Sequence, residues 1–479
     1  MTRFLWAAGL AALLGTGCSS SSSNRSSSTS APVSSQATSS TSSQSTAPPQ
    51  SAAPTHHDPG GQLAAVGSAT PVQATLTTNA FVAFRELAST SGLALPADPA
   101  LAGQAFVAQD SGYVRVLALD PSPRSLRELA LPGAPFTPGI AAGALRVQDA
   151  STAYVTASGQ GGEAVYRFDP SAAALPADVI AYDLDGRTVT WPAGTQNAAG
   201  VDVGGQPLPL SYTSDALGIG DTLFVTASNF DAQFTPNPGT VWAFDQDPQA
   251  GTLGNPRVLQ TRGFNPTGIR RLETPAGPLL LVTDSGPFAA GEGAVDVIDP
   301  VSFATVGWID LPGEAPSGRV ELSPDGRWGY LGSQNEPEVY LLDLSGLEAL
   351  VGASAPVDLG ARFRGGYALP PAAGGSDFVS SLAVSDSGRY LYAANFNASE
   401  LHVIDLFEPG LATTARGFAR SGDPQAFEGL LNSVAVRPGQ PGVDFQGPAL
   451  FALTINLTPA DQQVQDVNVA LDAVGFDRN

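Results

Sequence analysis

The sequence predicts an all-β fold, a seven-bladed β-propeller, and three observations lead to that prediction. First, a two-strand pattern recurs seven times between Ala105 and Asp472: a β-like run ending in small or polar residues, a gap, and a second alternating run closing on Asp. Second, the 53 Gly and 40 Pro among 479 residues fit many short strands joined by tight turns. Third, no long segment has the 3.6-residue apolar period of a helix.

The seven copies lie roughly 50–70 residues apart, as a radial repeat of blades requires. They run from Phe106 to Asp120, Tyr154 to Asp169, Phe224 to Asp245, Leu281 to Asp299, Tyr330 to Asp343, Tyr392 to Asp405 and Phe451 to Asp472. We expect the closing Asp to form a turn, because its carboxylate accepts backbone N–H groups. Because a propeller must close its ring, Val72–Thr77 or Phe81–Phe84 is expected to complete the blade that contains Phe451 and Val467.

Two copies carry a fuller pattern. In residues 320–344 an apolar run meets the turn Ser323-Pro324-Asp325-Gly326, and in residues 382–406 the turn is Ser385-Asp386-Ser387-Gly388. Pro presets φ for such a turn and Gly permits its exit. A third strand then ends in Leu-Leu-Asp-Leu or Val-Ile-Asp-Leu. In these residues the chain resembles the YVTN-type β-propeller repeat family, which includes surface-layer and lactonase-like propellers. The resemblance implies a fold and not a chemistry.

The N-terminus has the pattern of an export signal. Met1-Thr2-Arg3 is basic, and Phe4–Leu14 is an apolar run too short to cross a bilayer. Small residues precede Cys18, the single Cys of the chain, so that no intramolecular disulfide can form. This resembles the lipobox of bacterial lipoproteins, although Gly15 stands where that family usually has Leu. The resemblance implies cleavage of a signal peptide at 1–17 and acylation of Cys18 with chains such as palmitate. It also implies anchoring, with Ser19 favouring the outer membrane. An ordinary secretory signal with an incidental Cys is the alternative.

Residues 18–75 are predicted to be a disordered linker, and residues 76–479 the propeller. The linker is dominated by Ser, Thr, Pro, Gln and Ala, so it cannot offset its own ordering entropy. Its root-mean-square reach is about 40 Å. His56-His57 lies in it and is expected to be incidental, because no other metal-ligand types cluster nearby.

Charge excludes some functions. The 22 basic residues, all Arg, face 44 acidic ones, which gives a net charge of -22. Such an anionic surface repels nucleic acid, and the absence of Lys excludes a lysine nucleophile. The folded part is expected to be a monomer whose contact with the membrane is the N-terminal lipid.

The residues for catalysis are few. His402 is the one His of the predicted propeller, and it lies in an apolar strand, which favours a structural role. No nucleophile set, P-loop or dinucleotide-binding pattern can be assembled. No cofactor is expected, although the pairs Asp183 with Asp185 and Asp245 with Asp247 leave calcium open. Solvated turn carboxylates are the alternative for these pairs.

Two regions could hold a ligand. Four loops are long for a propeller, 175–211, 230–239, 346–377 and 407–429, and carry Trp191, Phe234, Phe363 and Tyr367. The polar residues just before inner strands are expected to converge at the mouth of the central channel: Asp215, Asn265, Arg319, Ser380 and Asn432. Arg319 could hold an anionic group with two parallel hydrogen bonds. The alternatives are backbone capping and a structural ion pair of Arg319 with Glu321 or with another blade's Asp.

The function predicted from these observations is that of an exported, membrane-anchored lipoprotein. Its propeller would act as a non-enzymatic binding or scaffold module in the cell envelope, for a protein, peptide or glycan. The alternative is a lactonase-like hydrolase with a divalent ion in the central channel. Three or more carboxylate or Asn oxygens converging on one point would favour the hydrolase. Arg-lined or apolar walls would favour binding.

Overall fold

The computed structural model describes residues 56–65, 81–85, 93–119, 124–137, 139–159, 162–172, 179–287, 292–371, 377–398, 400–407, 413–416, 418–420, 423–427, 430–437, 450–458 and 466–474. The predictions about the signal peptide, Cys18 and the linker up to residue 55 lie outside these residues. So do the closing Asp120 and the segment 72–77.

The described chain is a ring of β-sheets in which consecutive strands pair antiparallel, as the alternating runs predicted. Blade 1 contains β7 (Ile140–Asp149), β8 (Thr152–Gly159), β9 (Ala164–Phe168) and β10 (Ile180–Asp183). Blade 2 contains β13 (Thr213–Ile219), β14 (Thr222–Ala227), β15 (Pro238–Asp247) and β16 (Thr252–Phe264). Blade 3 contains β17 (Pro266–Leu272), β18 (Leu279–Asp284), β19 (Glu292–Asp299) and β20 (Ala304–Pro312).

Blades 4 to 6 complete the described four-stranded sheets. Blade 4 contains β21 (Pro316–Leu322), β22 (Trp328–Ser333), β23 (Glu338–Asp343) and β25 (Phe363–Ala368). Blade 5 contains β26 (Val379–Val384), β27 (Tyr390–Asn395), β28 (Glu400–Asp405) and β29 (Thr413–Arg416). Blade 6 contains β32 (Leu430–Val436), β33 (Leu450–Thr458), β34 (Asp466–Val474) and β2 (Phe81–Arg85).

The remaining elements are smaller. A partial blade contains β3–β6 (Leu93–Ala94, Gln104–Gln109, Tyr113–Ala118, Arg124–Ala130). Strand β1 (Gln62–Ala65) and strand β24 (Val357–Asp358) add to the outer edges of blades 4 and 3. One hairpin pairs β11 (Thr188–Thr190) with β12 (Pro207–Pro209), and another pairs β30 (Phe418–Arg420) with β31 (Asp423–Phe427). Short 3₁₀ helices cover Pro99–Leu101, Leu347–Leu350 and Gly360–Arg362.

The predicted number of seven blades is corrected to six. Within the described residues, six sheets have four strands of four residues or more, and in the partial blade the inner strand β3 is two residues long. The sequence gives a physical reason, because Pro96 and Pro99 follow β3 and cannot donate to a ladder. Within the described part of the chain, the copy at Phe106 therefore supplies three full strands and an inner strand of two residues.

Apolar seams join neighbouring sheets around the ring. The seam between the partial blade and blade 6 packs Val107 and Leu117 against Phe451 and Leu453, all fully buried. Burying each such side chain contributes about 1.5–3 kcal/mol. The core is thus distributed over the seams, and each blade depends on both neighbours.

The N-terminal segments complete two blades. Strand β2 pairs antiparallel with β34, which confirms that Phe81–Phe84 supplies the outer strand of the blade with Phe451 and Val467. Strand β1 pairs in parallel with β25 in blade 4, and Asp58 bonds to Arg364 with Nη2–Oδ2 at 2.8 Å. The segment predicted to be linker therefore contributes a strand before residue 76. Gly365, at φ 77°, lets this strand approach closely.

The turns follow the predicted chemistry. The closing carboxylates of Asp169, Asp299, Asp343 and Asp405 each accept the backbone N–H two residues later, at 2.8–3.0 Å. In the turn of residues 323–326, Trp328 N donates to Ser323 Oγ at 2.9 Å, and Tyr390 N donates to Ser385 Oγ at the same distance. Two of the predicted loop aromatics are corrected. Phe363 and Tyr367 lie in strand β25, and Tyr367 is fully buried.

Candidate functional site: the central channel

The inner strands of the six complete blades share one irregularity. Each of β7, β13, β17, β21, β26 and β32 shifts register against its neighbour near its start. Such a bulge leaves a residue unpaired and redirects nearby side chains. Hydroxyls at these positions tie blade to blade. Ser214 Oγ donates to Pro266 O at 2.5 Å, and Ser380 Oγ donates to Asn432 O at 2.9 Å.

Asp215 is the hub of the channel. It lies in β13 just after the bulge, and 1% of it is exposed. Arg319 of β21 reaches it across the intervening blade 3 with two hydrogen bonds, Nε to Oδ2 at 2.6 Å and Nη2 to Oδ1 at 2.9 Å. Arg146 of β7 donates from Nη2 to Oδ2 at 3.0 Å. One carboxylate therefore holds two guanidiniums from different blades.

The same two guanidiniums also bind backbone carbonyls. Arg146 donates from Nε to Ala216 O at 3.0 Å and from Nη2 to Ile269 O at 2.5 Å. Arg319 Nη2 donates to Leu145 O at 3.4 Å. Blades 1 to 4 are thus linked through the channel by one network, which no pair of neighbouring blades could build alone.

The electrostatics agree with this geometry. Burial by itself would raise the pKa of Asp215, but Arg319 and Arg146 outweigh it and hold that pKa below its ordinary value. Burial lowers the pKa of Arg146 to about 10, against the field of Asp215. Both partners stay ionised at neutral pH.

Two further charged groups face this network. Arg270 of β17 lies close enough to Arg146 to lower that residue's pKa. Glu321 of β21 has its pKa raised by burial, against the opposing fields of Arg270 and Arg319. Arg270 Nε is buried and has no hydrogen-bond partner among the described residues. This side of the channel wall, formed by blades 1 to 4, therefore carries three guanidiniums (Arg146, Arg270 and Arg319) beside two carboxyl groups (Asp215 and Glu321).

The opposite side of the channel is neutral. Ser381 of β26 and Ser433 of β32 approach each other at 3.4 Å between their Oγ atoms, and Val434 N donates to Ser381 Oγ at 3.2 Å. The described channel is therefore asymmetric, with guanidiniums on blades 1, 3 and 4 and hydroxyls on blades 5 and 6.

The structure groups the five predicted ligand residues into two pairs and one outlier. Asp215 pairs with Arg319, and Ser380 with Asn432, while Asn265 accepts Ser228 Oγ at 2.8 Å between strands β14 and β17. Arg146 and Arg270 were missed. The sequence held a signal for both, since each is a charge inside an apolar run, as in Leu145-Arg146-Val147.

The candidate calcium ligands have other hydrogen bonds. Asp183 Oδ1 accepts Asp185 N at 2.9 Å, and Asp185 Oδ1 accepts Glu163 N at 2.8 Å. Asp247 Oδ1 accepts Gln249 N at 2.9 Å. Among the described residues, no group of three His, Cys, Asp or Glu side chains could hold a metal ion. In the same part of the chain, no helix is both long and apolar enough to cross a bilayer.

No family model matches the chain, and no curated protein matches it. Among solved structures, it is similar to the β-propeller domain of Myceliophteria thermophila Cps50 (Swd1), at 12% identity and TM-score 0.46, over 82% of this chain and 100% of that one. It is also similar to Kuenenia stuttgartiensis hydrazine synthase, at 14% identity and TM-score 0.46, over 80% and 95%. Likenesses this distant carry no argument about function.

Proposed function

We propose that this chain is an exported lipoprotein of the cell envelope whose propeller is a binding module, with the guanidinium side of the central channel as its ligand site. The single observation that carries the binding role is the placement of Arg146 and Arg319 on the buried carboxylate of Asp215, with Arg270 beside Arg146, in a chain of net charge -22. Positive charge in this anionic chain is concentrated here, although burying cations carries a desolvation cost.

An anionic group is the ligand that this wall favours. Arg319 uses Nε and Nη2 for its protein partners, and Arg146 uses the same two atoms, so both Nη1 groups have no acceptor among the described residues. A carboxylate or phosphate would accept single hydrogen bonds from those Nη1 groups and further hydrogen bonds from the guanidinium of Arg270. An anionic side chain of a protein or peptide, or an acidic sugar, has this chemistry.

A lactonase-like hydrolase is the second candidate, and it rests on the resemblance of residues 320–344 and 382–406 to YVTN-type repeats. The channel geometry supports binding over this alternative, because the converging groups are guanidiniums already engaged with their carboxylate. A channel metal would have to compete with Arg319 and Arg146 for Asp215.

Arg270→Gln is expected to weaken anion binding by about tenfold or more while lowering the free energy of unfolding by much less than the loss of a buried ion pair would, which is about 3–5 kcal/mol. Isothermal titration of the mature chain with inorganic phosphate and with citrate measures the first quantity, and chemical denaturation measures the second. Citrate tests a carboxylate ligand and phosphate a phosphoryl one.

Arg271→Gln is the matched control. Arg271 is the next residue of the same strand, and its Nε pairs with Glu273 at 2.5 Å outside the channel network. The Arg271→Gln variant should bind both anions as the wild type does. If the wild type binds neither anion, or if both variants weaken binding equally, the anion site is wrong.

Cys18→Ala is expected to release the protein from the membrane, because a thiol is the nucleophile that diacylglycerol transfer needs. Fractionation of cells and the mass of the mature N-terminus measure the result, with Ser19→Ala as the control that keeps the thiol. A wild-type N-terminus without lipid mass, together with unchanged fractionation of Cys18→Ala, would contradict the anchoring.

A further inference from the structure

Two buried carboxyl groups lie outside the channel, in the seam between blades 2 and 3. Asp284 ends strand β18, Asp296 lies in the neighbouring strand β19, and at most 1% of either residue is exposed. Oδ1 of each carboxyl is buried and has no hydrogen-bond donor among the described residues. Two ionised carboxylates placed side by side without donors repel each other, so this arrangement favours a proton on one of them.

Each carboxyl also holds the neighbouring blade. Asp296 Oδ2 accepts Arg262 N at 2.8 Å, and Asp284 Oδ2 accepts Gly263 N at 3.2 Å, and both donors belong to strand β16 of blade 2. A Cβ at position 263 would lie 2.7 Å from Asp284 Cβ, so Gly is required for this approach. The pair thus fastens the outer strand of one blade to the middle strands of the next.

An open surface pocket of about 390 Å³ lies beside this contact. Its lining includes Thr261, Arg262, Asp296, Thr305 and Trp308. Movement of β16 away from blade 3 would widen it, because β16 supplies one wall and β19 and β20 supply the other.

The other charged groups near Asp284 and Asp296 are Arg262, Asp310 and Asp358, and the charge of Arg262 is paired with that of Asp310. Arg262 Nε and Nη2 bind Asp310 at 2.6 and 3.0 Å, and the guanidinium lies 4.5 Å from the centre of the Trp308 ring. Asp358 contributes a weaker field on Arg262. Arg262 favours ionisation of Asp296 and Asp310 opposes it, so neither replaces the proton.

We propose that Asp284 and Asp296 form a proton-dependent latch: with the proton the pair holds Arg262 and Gly263 against blade 3, and without it β16 separates and the surface pocket widens. This inference is independent of the channel site. The physical cause is repulsion between two ionised carboxylates in contact in a buried seam, which outweighs the two backbone hydrogen bonds.

The direction of the pH effect follows from the pKa shifts. Burial raises the pKa of Asp296 to about 6, and burial followed by the charge of Asp296 raises the pKa of Asp284 well above its ordinary value. A raised folded pKa means that the folded state binds protons more tightly than the unfolded chain, in which Asp ionises near ~4. The stabilisation is therefore full at acid pH and is lost as pH rises through 6 and beyond.

Hydrogen exchange tests the latch in the mature chain at pH 5, 6, 7 and 8, with rates corrected for intrinsic exchange. Protection of the amides of Arg262 and Gly263 is expected to fall by about tenfold or more from pH 5 to pH 8, the factor that one pKa unit carries. Protection of the central strands β14 and β15 of the same blade should stay constant. Equal protection of Arg262 and Gly263 at pH 5 and pH 8 would overturn the proposal.

Asp284→Asn separates the latch from a general charge effect. The Asn Oδ1 can accept Gly263 N and its Nδ2 can donate to Asp296 without a titrating proton, so protection should be independent of pH. Asp296→Asn is the second variant, with the same expectation, in case the first does not fold. Asp310→Asn is the control that should keep the pH dependence. A wild-type pH dependence retained in both Asn variants would also overturn the latch.

Discussion

Asp215→Asn is expected to destabilise the propeller by about 3–5 kcal/mol, the cost of leaving buried charges without their partner. The change removes the negative charge that compensates Arg146 and Arg319, both of which would stay in the channel with their carbonyl contacts. An amide of the same size could accept from one guanidinium but not balance either charge. Chemical denaturation gives the free energy of unfolding.

Asp310→Asn is the matched control for this experiment. It also removes an Asp bonded twice to an Arg, but the two side chains are 42% and 44% exposed, so the loss should be about 0–1 kcal/mol. Adding Arg319→Gln to Asp215→Asn should recover part of the stability, because one uncompensated charge leaves with the side chain. A loss below about 1 kcal/mol for Asp215→Asn would mean that water in the channel solvates both guanidiniums.

The channel and the latch give the protein opposite responses to pH. The pKa of Asp215 is depressed in the folded state, so its stabilisation is complete above ~4 and is lost as pH falls through the folded pKa. The Asp284 and Asp296 pair has raised pKa values, and its stabilisation is lost as pH rises. The two effects act in separate pH windows, one below ~4 and one above it.

The sequence predicted the parts of this fold that depend on local chemistry. The closing Asp turns and the Ser323 and Ser385 turns are bonds between residues two to five positions apart, so their residue types are visible in any one copy. The pairing of β2 with β34 was predicted because a ring must close, which is a property of the repeat rather than of single residues.

The blade count and the channel network could not be predicted in the same way. The number of copies was counted from the middle strands, whereas the shortened strand β3 concerns the inner strand, which those copies do not record. Arg319 and Asp215 are 104 positions apart, and their meeting depends on register shifts of one residue in β13 and two residues in β21. Arg146 and Arg270 occupy equivalent positions, opposite Tyr154 and Leu281, which only the strand register reveals.

The ring closure gives the second large effect. Replacing Phe81–Arg85 with a Gly-Ser segment of equal length is expected to destabilise the whole propeller by several kcal/mol, because five residue pairs with β34 are lost. Each backbone hydrogen bond contributes about 0.5–1.5 kcal/mol net, against a total stability of about 5–15 kcal/mol for a typical domain. The bared edge of β34 should also promote aggregation.

The same Gly-Ser replacement at residues 31–35 is the matched control, since it changes an equal length of chain within the Ser/Thr-rich linker that precedes the first described strand. Calorimetry and size-exclusion chromatography compare the two variants. The linker variant should keep the wild-type Tm and the wild-type elution volume, whereas the β2 variant should unfold at a Tm lower by many degrees. Equal Tm values for the two would contradict closure by β2. The apolar seam of Val107 and Leu117 against Phe451 and Leu453 would then be what holds the ring shut.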